Sequence, residues 1–181
     1  LARSLDGGET WAIEPTPALV PPEGMYTGSR PGGKSSDLRE AIDFSLPGFC
    51  MTFRMSDAQK GRSWFFYSYD RGKTWTRRDK GLEDFSVRAI ALDPRDSDFV
   101  IVGGLTGVYR SADAGATWTR ISEQENVESV AIDPRTRDRI YVGTWRQGIR
   151  TEDGGATWKL INNGMVLDTD MFSILINPQN P

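Results

Sequence analysis

The sequence predicts an all-β fold, a β-propeller of four-stranded antiparallel blades, and three observations support this class. One eight-residue pattern, S/T-x-D-x-G-x-T-W, occurs four times, and its aspartates follow one another at intervals of 64, 43 and 40 residues. Residues 87–122 align with residues 127–162 at an offset of 40. Each aligned unit holds four short apolar runs, and four-stranded units of about 40 to 45 residues are typical of propeller blades.

Each copy of the pattern, called a box below, predicts a tight turn between two strands. The Asp carboxylate can accept hydrogen bonds from backbone N–H groups ahead of it, and the Gly tolerates the positive φ that the turn requires. The Trp begins the returning strand and offers a large ring for burial. A residue repeated in every unit serves a need that every unit shares. We therefore predict a structural role for Asp6, Asp70, Asp113, Asp153, Trp11, Trp75, Trp118 and Trp158.

The two aligned units predict four strands, A to D, in the same order. Strand A covers Val87 to Leu92 and Val127 to Ile132, and strand B covers Phe99 to Val102 and Arg139 to Val142. Strand C covers Val108 to Ser111 and Ile149 to Thr151, and strand D starts at Trp118 and Trp158. The boxes are therefore C-to-D turns. Because successive strands alternate in direction, A-to-B and C-to-D turns share one face, and B-to-C and D-to-A loops share the opposite face.

The rest of the chain extends this pattern less regularly. Ala41 to Met55 and Ser63 to Tyr69 predict strands A to C of an earlier blade, and Trp75 to Arg78 predict its strand D. Thr16 to Glu40 is rich in Pro, Gly and Ser and predicts a long loop. The predicted units are the end of a blade (1–14), a loop insert (15–40), three blades (41–80, 81–122 and 123–163) and the start of the next blade (171–181).

About four blades are therefore present, and we expect them to be part of a larger propeller. The alternative is a minimal four-bladed ring, in which a C-terminal strand A starting at Met171 completes the N-terminal blade. A part of a propeller exposes sheet edges, so it requires further blades or another partner.

Composition excludes several classes of function. The chain has no His, which excludes imidazole-based catalysis and two-His zinc sites. Its single Cys offers no cysteine cluster for a metal, so we predict no metal and no cofactor. With 22 Lys and Arg against 25 Asp and Glu, the chain lacks the basic surplus of a nucleic-acid-binding protein. No apolar run reaches the roughly 20 residues of a membrane span.

The four boxes resemble the Asp-box (BNR) repeats of the sialidase superfamily of propellers. "AIDFSLPGFCMTFRM" followed by "WFFYSYDRGKTW" is most similar to sialidase-like and putative glycoside hydrolase members. Residues 86–163 are similar to photosystem II assembly-factor-like and xyloglucan-hydrolysing propellers. The resemblance implies a protein that binds or hydrolyses glycans, with exo-sialidase-like activity as one possibility, in a secreted or periplasmic location.

Two other functions remain open alongside the glycan hypothesis. One is a non-catalytic scaffold that binds proteins or assembles complexes, and the other is a structural segment without a site of its own. The family's catalytic signature begins with an arginine in an Arg-Ile-Pro segment ahead of the first box, and this chain has no such segment. We therefore assign no catalytic residue.

The face opposite the boxes is the predicted ligand face, for either a glycan or a protein. Trp145 can stack on a sugar ring and Arg146 can bind a carboxylate or a hydroxyl, whereas the alternative for Trp145 is packing against a neighbouring blade. Three further arginines form a candidate anion-binding group, or are solvated or paired with nearby acids: Arg54, Arg62 and Arg88. A carboxylate pair for glycoside hydrolysis has five candidates, between which the sequence does not choose: Glu40, Asp43, Glu83, Asp84 and Glu128.

Overall fold

The computed structural model describes residues 2–3, 12–13, 38–42, 49–54, 63–68, 76–84, 86–166 and 169–179. Within them the backbone forms 14 β-strands. The first six are β1 (Ala2–Arg3), β2 (Ala12–Ile13), β3 (Leu38–Ile42), β4 (Phe49–Arg54), β5 (Ser63–Ser68) and β6 (Thr76–Arg77). The next four are β7 (Val87–Asp93), β8 (Asp96–Gly104), β9 (Val108–Ser111) and β10 (Thr119–Ser122). The last four are β11 (Val127–Ile132), β12 (Ile140–Thr144), β13 (Gly148–Thr151) and β14 (Lys159–Leu160).

The strands form three antiparallel four-stranded sheets in which each strand pairs with the next along the chain. We call them blade 1 (β3 to β6), blade 2 (β7 to β10) and blade 3 (β11 to β14). β1 and β2 pair as a separate antiparallel hairpin around the first box. The predicted class, all-β with four-stranded antiparallel sheets, is confirmed.

Two predicted boundaries differ from the structure. β3 begins at Leu38, inside the segment predicted to be loop as far as Glu40, because Leu38 already pairs with Phe53 of β4. Residues 171–177, predicted to start a strand A, carry no strand. A strand is defined by a paired neighbour, and this segment contacts blade 3 at isolated points, such as the bond from the Met171 backbone N–H to the Thr144 carbonyl (2.9 Å).

The core lies between the blades because β8 is covered on both of its faces. Its alternate residues Val100 and Val102 pack in one buried cluster with Phe65 and Tyr67 of blade 1. Phe99 and Ile101 pack in a second buried cluster, whose other members include Val108, Val127, Ile140, Val142 and Ile149. Because side chains alternate across a strand, β8 packs against blade 1 with one face and against blade 3 with the other.

Close approach of the blades requires a glycine on strand B. A Cβ on Gly103 of β8 would lie 3.0 Å from Val130 Cγ1 and closer still to Val127 Cγ1, both on β11. A Cβ on Gly143, the equivalent residue of β12, would lie 2.5 Å from the Met171 carbonyl oxygen. The segment at Met171 therefore occupies against blade 3 the place that β11 occupies against blade 2.

The two described boxes fold as the same turn. The Asp113 carboxylate accepts hydrogen bonds from the Thr117 N–H (2.8 Å), the Thr117 hydroxyl (2.6 Å) and the Ser111 hydroxyl (2.8 Å). Gly115 has φ 82°. Burial raises the pKa of Asp113, but the bonds from Thr117 and Ser111 outweigh it and hold the pKa below its ordinary value.

Asp153 makes the corresponding contacts in blade 3. The Thr157 N–H (2.8 Å), the Thr157 hydroxyl (2.6 Å) and the Thr151 hydroxyl (2.7 Å) donate to it, and they hold the pKa of Asp153 well below its ordinary value. The box tryptophans differ in burial: Trp118 is buried and Trp158 is half-buried. The other box residues assigned a structural role, Asp6, Trp11, Asp70 and Trp75, lie outside the described residues.

A chain of arginine contacts joins successive blades at the A-to-B turns. Arg95, in the turn of blade 2, donates to the carbonyl of Arg135 at the equivalent point of blade 3 (2.9 Å). Arg135 in turn donates to the carbonyls of Pro178 (3.1 Å) and Gln179 (2.5 Å). Residues 178–179 therefore accept from Arg135 as residue 135 accepts from Arg95.

Candidate functional site

The short B-to-C loop of blade 3 presents Trp145 on the face opposite the boxes. Thr144, buried at the end of β12, organises the loop: its hydroxyl accepts from the backbone N–H groups of Arg146 (3.3 Å) and Gln147 (3.2 Å) and donates to the Gln147 carbonyl (3.0 Å). The Thr144 N–H also donates to the Gln147 carbonyl (2.9 Å). The loop is therefore a fixed turn, and Trp145 on it is 46% exposed.

Trp145 belongs to a three-residue cluster that spans blades 2 and 3. Its indole N–H donates to Glu128 Oε1 (2.6 Å), and the Arg88 guanidinium donates to the same oxygen. The Arg88 guanidinium carbon also lies 5.4 Å from the centre of the Trp145 ring, within cation–π distance. Arg88 and Glu128 are the second residues of β7 and β11, so the repeat places them side by side at the same height.

The Arg88–Glu128 ion pair of this cluster is mostly buried, whereas the Trp145 ring beside it is exposed to solvent. The side chains of Arg88 and Glu128 are 21% and 12% exposed. Glu128 Oε1 receives both hydrogen bonds, and no described residue donates to Oε2. The cluster therefore combines an aromatic surface in contact with solvent, a neutralised ion pair and one acceptor oxygen without a protein donor among the described residues.

Two of the predicted ligand residues, Trp145 and Arg88, are thus brought together. Arg146 is exposed next to Trp145 on the same loop. Arg54 is the last residue of β4, where only the backbone is described, and Arg62 lies outside the described residues.

Among the candidate acids, Asp84 has a structural role. Its buried carboxylate accepts from the N–H groups of Ser86 (2.7 Å) and Thr106 (2.8 Å) and from the Thr106 hydroxyl (2.9 Å). It thereby anchors the B-to-C loop of blade 2, as Thr144 anchors that of blade 3. Glu83 is exposed beside it. For the other two acids, Glu40 has only its backbone described on β3, and Asp43 lies outside the described residues.

Glu128 is the cluster residue that the sequence presented only as one candidate acid among five. Its contacts come from Arg88 in another blade and from Trp145 in a loop 17 residues away. One signal was present: position 88 and position 128 are equivalent in the 40-residue repeat and carry opposite charges.

An open groove of about 550 Å³ lies next to the Trp145 loop, between blades 2 and 3. Its lining includes Gln124, Gln147, Ile149, Trp158 and Leu160. Gln147 of the Trp145 loop donates to Gln124 (2.8 Å), which joins the groove to the loop. Besides these amides and apolar side chains, the groove is lined by the charged residues Glu123, Glu125 and Lys159.

In the described part of the chain, no group of three His, Cys, Asp or Glu side chains is arranged to hold a metal ion. The described residues contain no helix long and apolar enough to cross a membrane.

The comparisons with known proteins identify the fold. The BNR/Asp-box repeat model matches residues 66–77, which include the second box. The GH74 xyloglucanase from Xanthomonas campestris superposes with a TM-score of 0.59 at 20% identity, over 71% of this chain and 23% of that one. The fold is a β-propeller with Asp-box repeats. The Niastella koreensis GH74 enzyme superposes with a TM-score of 0.56 at 21% identity, over 70% of this chain and 22% of that one.

A third structure, YCF48 bound to D1 peptide, superposes with a TM-score of 0.46 at 16% identity, over 61% of this chain and 36% of that one. No curated protein sequence matches the chain. The chain spans less than a quarter of the length of the two GH74 structures. At this level of identity, the similarity establishes the propeller fold and no specific activity.

Proposed function

We propose that this propeller binds glycans through the cluster of Trp145, Glu128 and Arg88. The observation that supports the proposal is the exposed Trp145 ring, fixed in orientation by the bond from its indole N–H to Glu128 (2.6 Å). Aromatic rings stack on the apolar C–H face of a sugar, and a few fixed polar groups beside the ring orient its hydroxyls. The cluster has both components, and the adjacent groove offers room for a longer chain.

Two further facts favour a glycan over other small ligands. The superposed propellers include enzymes described as a xyloglucanase and a GH74 enzyme, so this fold is used for glycan chemistry. The cluster also lies on the loop face opposite the boxes, where ligands of propellers are expected. Hydrolysis is the finer form of this proposal, and a sialidase-like activity would require the site to accept a sugar that carries a carboxylate. Hydrolysis requires a second carboxylate near Glu128.

Replacing Trp145 with Ala is expected to weaken glycan binding at least tenfold. The ring supplies the stacking surface, and a tenfold loss corresponds to about 1.4 kcal/mol, a modest part of what burial of an aromatic side chain contributes. Binding is measured by isothermal titration calorimetry of the 181-residue chain with cellotetraose, lactose and sialyllactose.

The matched control is Leu105→Ala, which truncates the equivalent loop position of blade 2. It is expected to leave the affinities unchanged, and circular dichroism checks that both variants fold. Equal affinities for the wild type and Trp145→Ala would show that this cluster is not the glycan site.

A second candidate function, protein binding or self-association, is favoured by exposed apolar side chains in the C-terminal part of the chain. Val166 is 83% exposed and Leu175 is 94% exposed. Large apolar side chains that are exposed in one patch mark interaction sites.

Self-association is tested by light scattering coupled to size-exclusion chromatography. The wild type is expected to elute above its monomer mass of 20.2 kDa, and the double variant Val166→Asp with Leu175→Asp is expected to elute at that mass. Ala116→Asp, an exposed change on the box face, is the control. A wild type that stays monomeric at all concentrations argues against self-association.

A further inference from the structure

We propose that Glu128 determines specificity at this site, selecting uncharged sugars and rejecting sugars that carry a carboxylate. This inference rests on the proposed glycan function and names the substrate class of the same site. It depends on the observation that Glu128 pairs with Arg88. An acidic sugar stacked on Trp145 would need this arginine to bind its carboxylate.

The ion pair leaves Arg88 neutralised within the cluster. Guanidinium groups bind carboxylates by charge-assisted hydrogen bonds, and the carboxylate of Glu128 occupies this role at Arg88. An acidic sugar would have to displace Glu128 or place a second negative charge beside it. Both are unfavourable because the Glu128 side chain is only 12% exposed, so water screens the repulsion poorly.

The hydrogen-bonding pattern of Glu128 suits a ligand rich in hydroxyl groups. Oε1 accepts from Arg88 and from the Trp145 indole N–H, whereas no described residue donates to Oε2. An ionised carboxylate only accepts hydrogen bonds, so Oε2 fits a hydroxyl donor and not a second carboxylate. The edge of a neutral sugar ring stacked on Trp145 supplies such a donor.

Arg146 is the cation on the Trp145 loop itself, whereas Arg88 lies on β7. It is exposed, so water and salt screen its charge. If Arg146 instead governed recognition, the wild type would bind acidic sugars well and Glu128 would have no influence on the choice. Control by Glu128 therefore predicts a preference for neutral sugars, whereas control by Arg146 predicts good binding of acidic sugars.

The experiment compares two probes that share one backbone and differ in the C6 group, which is neutral in one and charged in the other. They are cellotetraose and the glucuronic acid tetramer of the same linkage, which has carboxylates in place of the hydroxymethyl groups. The wild-type chain is expected to bind cellotetraose at least tenfold more tightly than the acidic tetramer. Glu128→Gln is expected to bind the acidic tetramer at least tenfold more tightly than the wild type does, because Arg88 is released from a charged partner.

The matched control is Glu152→Gln, because Glu152 also pairs with an arginine, Arg150 (2.7 Å), but lies in a box turn on the opposite face. It is expected to keep the wild-type ratio of the two affinities. A wild type that binds both probes equally, or a Glu128→Gln variant that keeps the wild-type ratio, overturns the inference and leaves glycan binding intact. Failure of every protein to bind either probe overturns the proposed function and this inference together.

Discussion

Replacing Gly103 with Val is expected to lower the free energy of unfolding by about 3 kcal/mol, the upper part of the usual range for overpacking. A Cβ at this position would lie within 3.0 Å of Val130 Cγ1 and closer to Val127 Cγ1. Val127 is fully buried and cannot turn away, so blades 2 and 3 must separate to accept the new side chain. For a chain of this length, the apparent Tm is expected to fall by roughly 6–12 °C.

The size of the effect is measured by urea unfolding followed by circular dichroism, and a second substitution tests its cause. Val127→Ala makes room opposite Gly103. The double variant Gly103→Val with Val127→Ala is therefore expected to be more stable than the sum of the two single losses predicts. Strict additivity would show that the loss arises within β8 and not at the contact between the blades.

The regular parts of the fold follow from the sequence because each depends on local chemistry. The Asp, Gly and Thr of a box lie within a few residues of one another, so their spacing predicts the turn that Asp113 and Asp153 form. The predicted strands C at Val108 and Ile149 end at Ser111 and Thr151, where the structure ends β9 and β13. Periodic apolar runs thus locate the strands of blades 2 and 3 to within a few residues.

The segment at Met171 was harder to predict because a strand needs a neighbour as well as a suitable sequence. "MFSILINP" matches the start of strands β7 and β11, and its contacts to Thr144 and Ser129 reproduce the position of such a strand. The local pattern therefore predicted a strand for a segment that carries none.

Of the three cluster residues, Trp145 and Arg88 could be predicted from the sequence and Glu128 could not. Trp145 stood out because it replaces Leu105 in an otherwise similar loop, and Arg88 stood out as a charge on an inner strand. Glu128 could not be chosen from five acids, because its role depends on which side chains the neighbouring blades bring to it. Asp84 is a candidate acid with a structural role instead. Its carboxylate accepts four hydrogen bonds from the chain itself, and the sequence does not reveal these partners.

Replacing Asp93 with Ala is expected to cost about 2 kcal/mol at pH 7. The buried Asp93 carboxylate accepts from the Arg95 N–H (2.9 Å), the Arg95 guanidinium (3.1 Å) and Arg137 Nε of blade 3 (2.8 Å). Removing one partner of a buried ion pair costs several kcal/mol, and we reduce that figure because both guanidinium groups are partly exposed. Asp96→Ala removes a half-exposed acid from the same group and is expected to cost less than about 1 kcal/mol.

Lowering the pH is expected to reduce the stabilisation of the fold that the Asp93 carboxylate contributes. Burial raises the pKa of this carboxyl, but the hydrogen bonds from Arg95 and Arg137 outweigh it and hold the pKa below its ordinary value of 3.8. Asp93 therefore stabilises the fold fully above about pH 4, and this contribution is lost as the pH falls towards the lowered pKa. The difference in Tm between the wild type and Asp93→Ala, measured at pH 7 and pH 3, is expected to shrink at pH 3. A difference that stays constant would mean that Asp93 acts through its shape and not through its charge, and the contact between the A-to-B turns would then not depend on the ionised carboxylate.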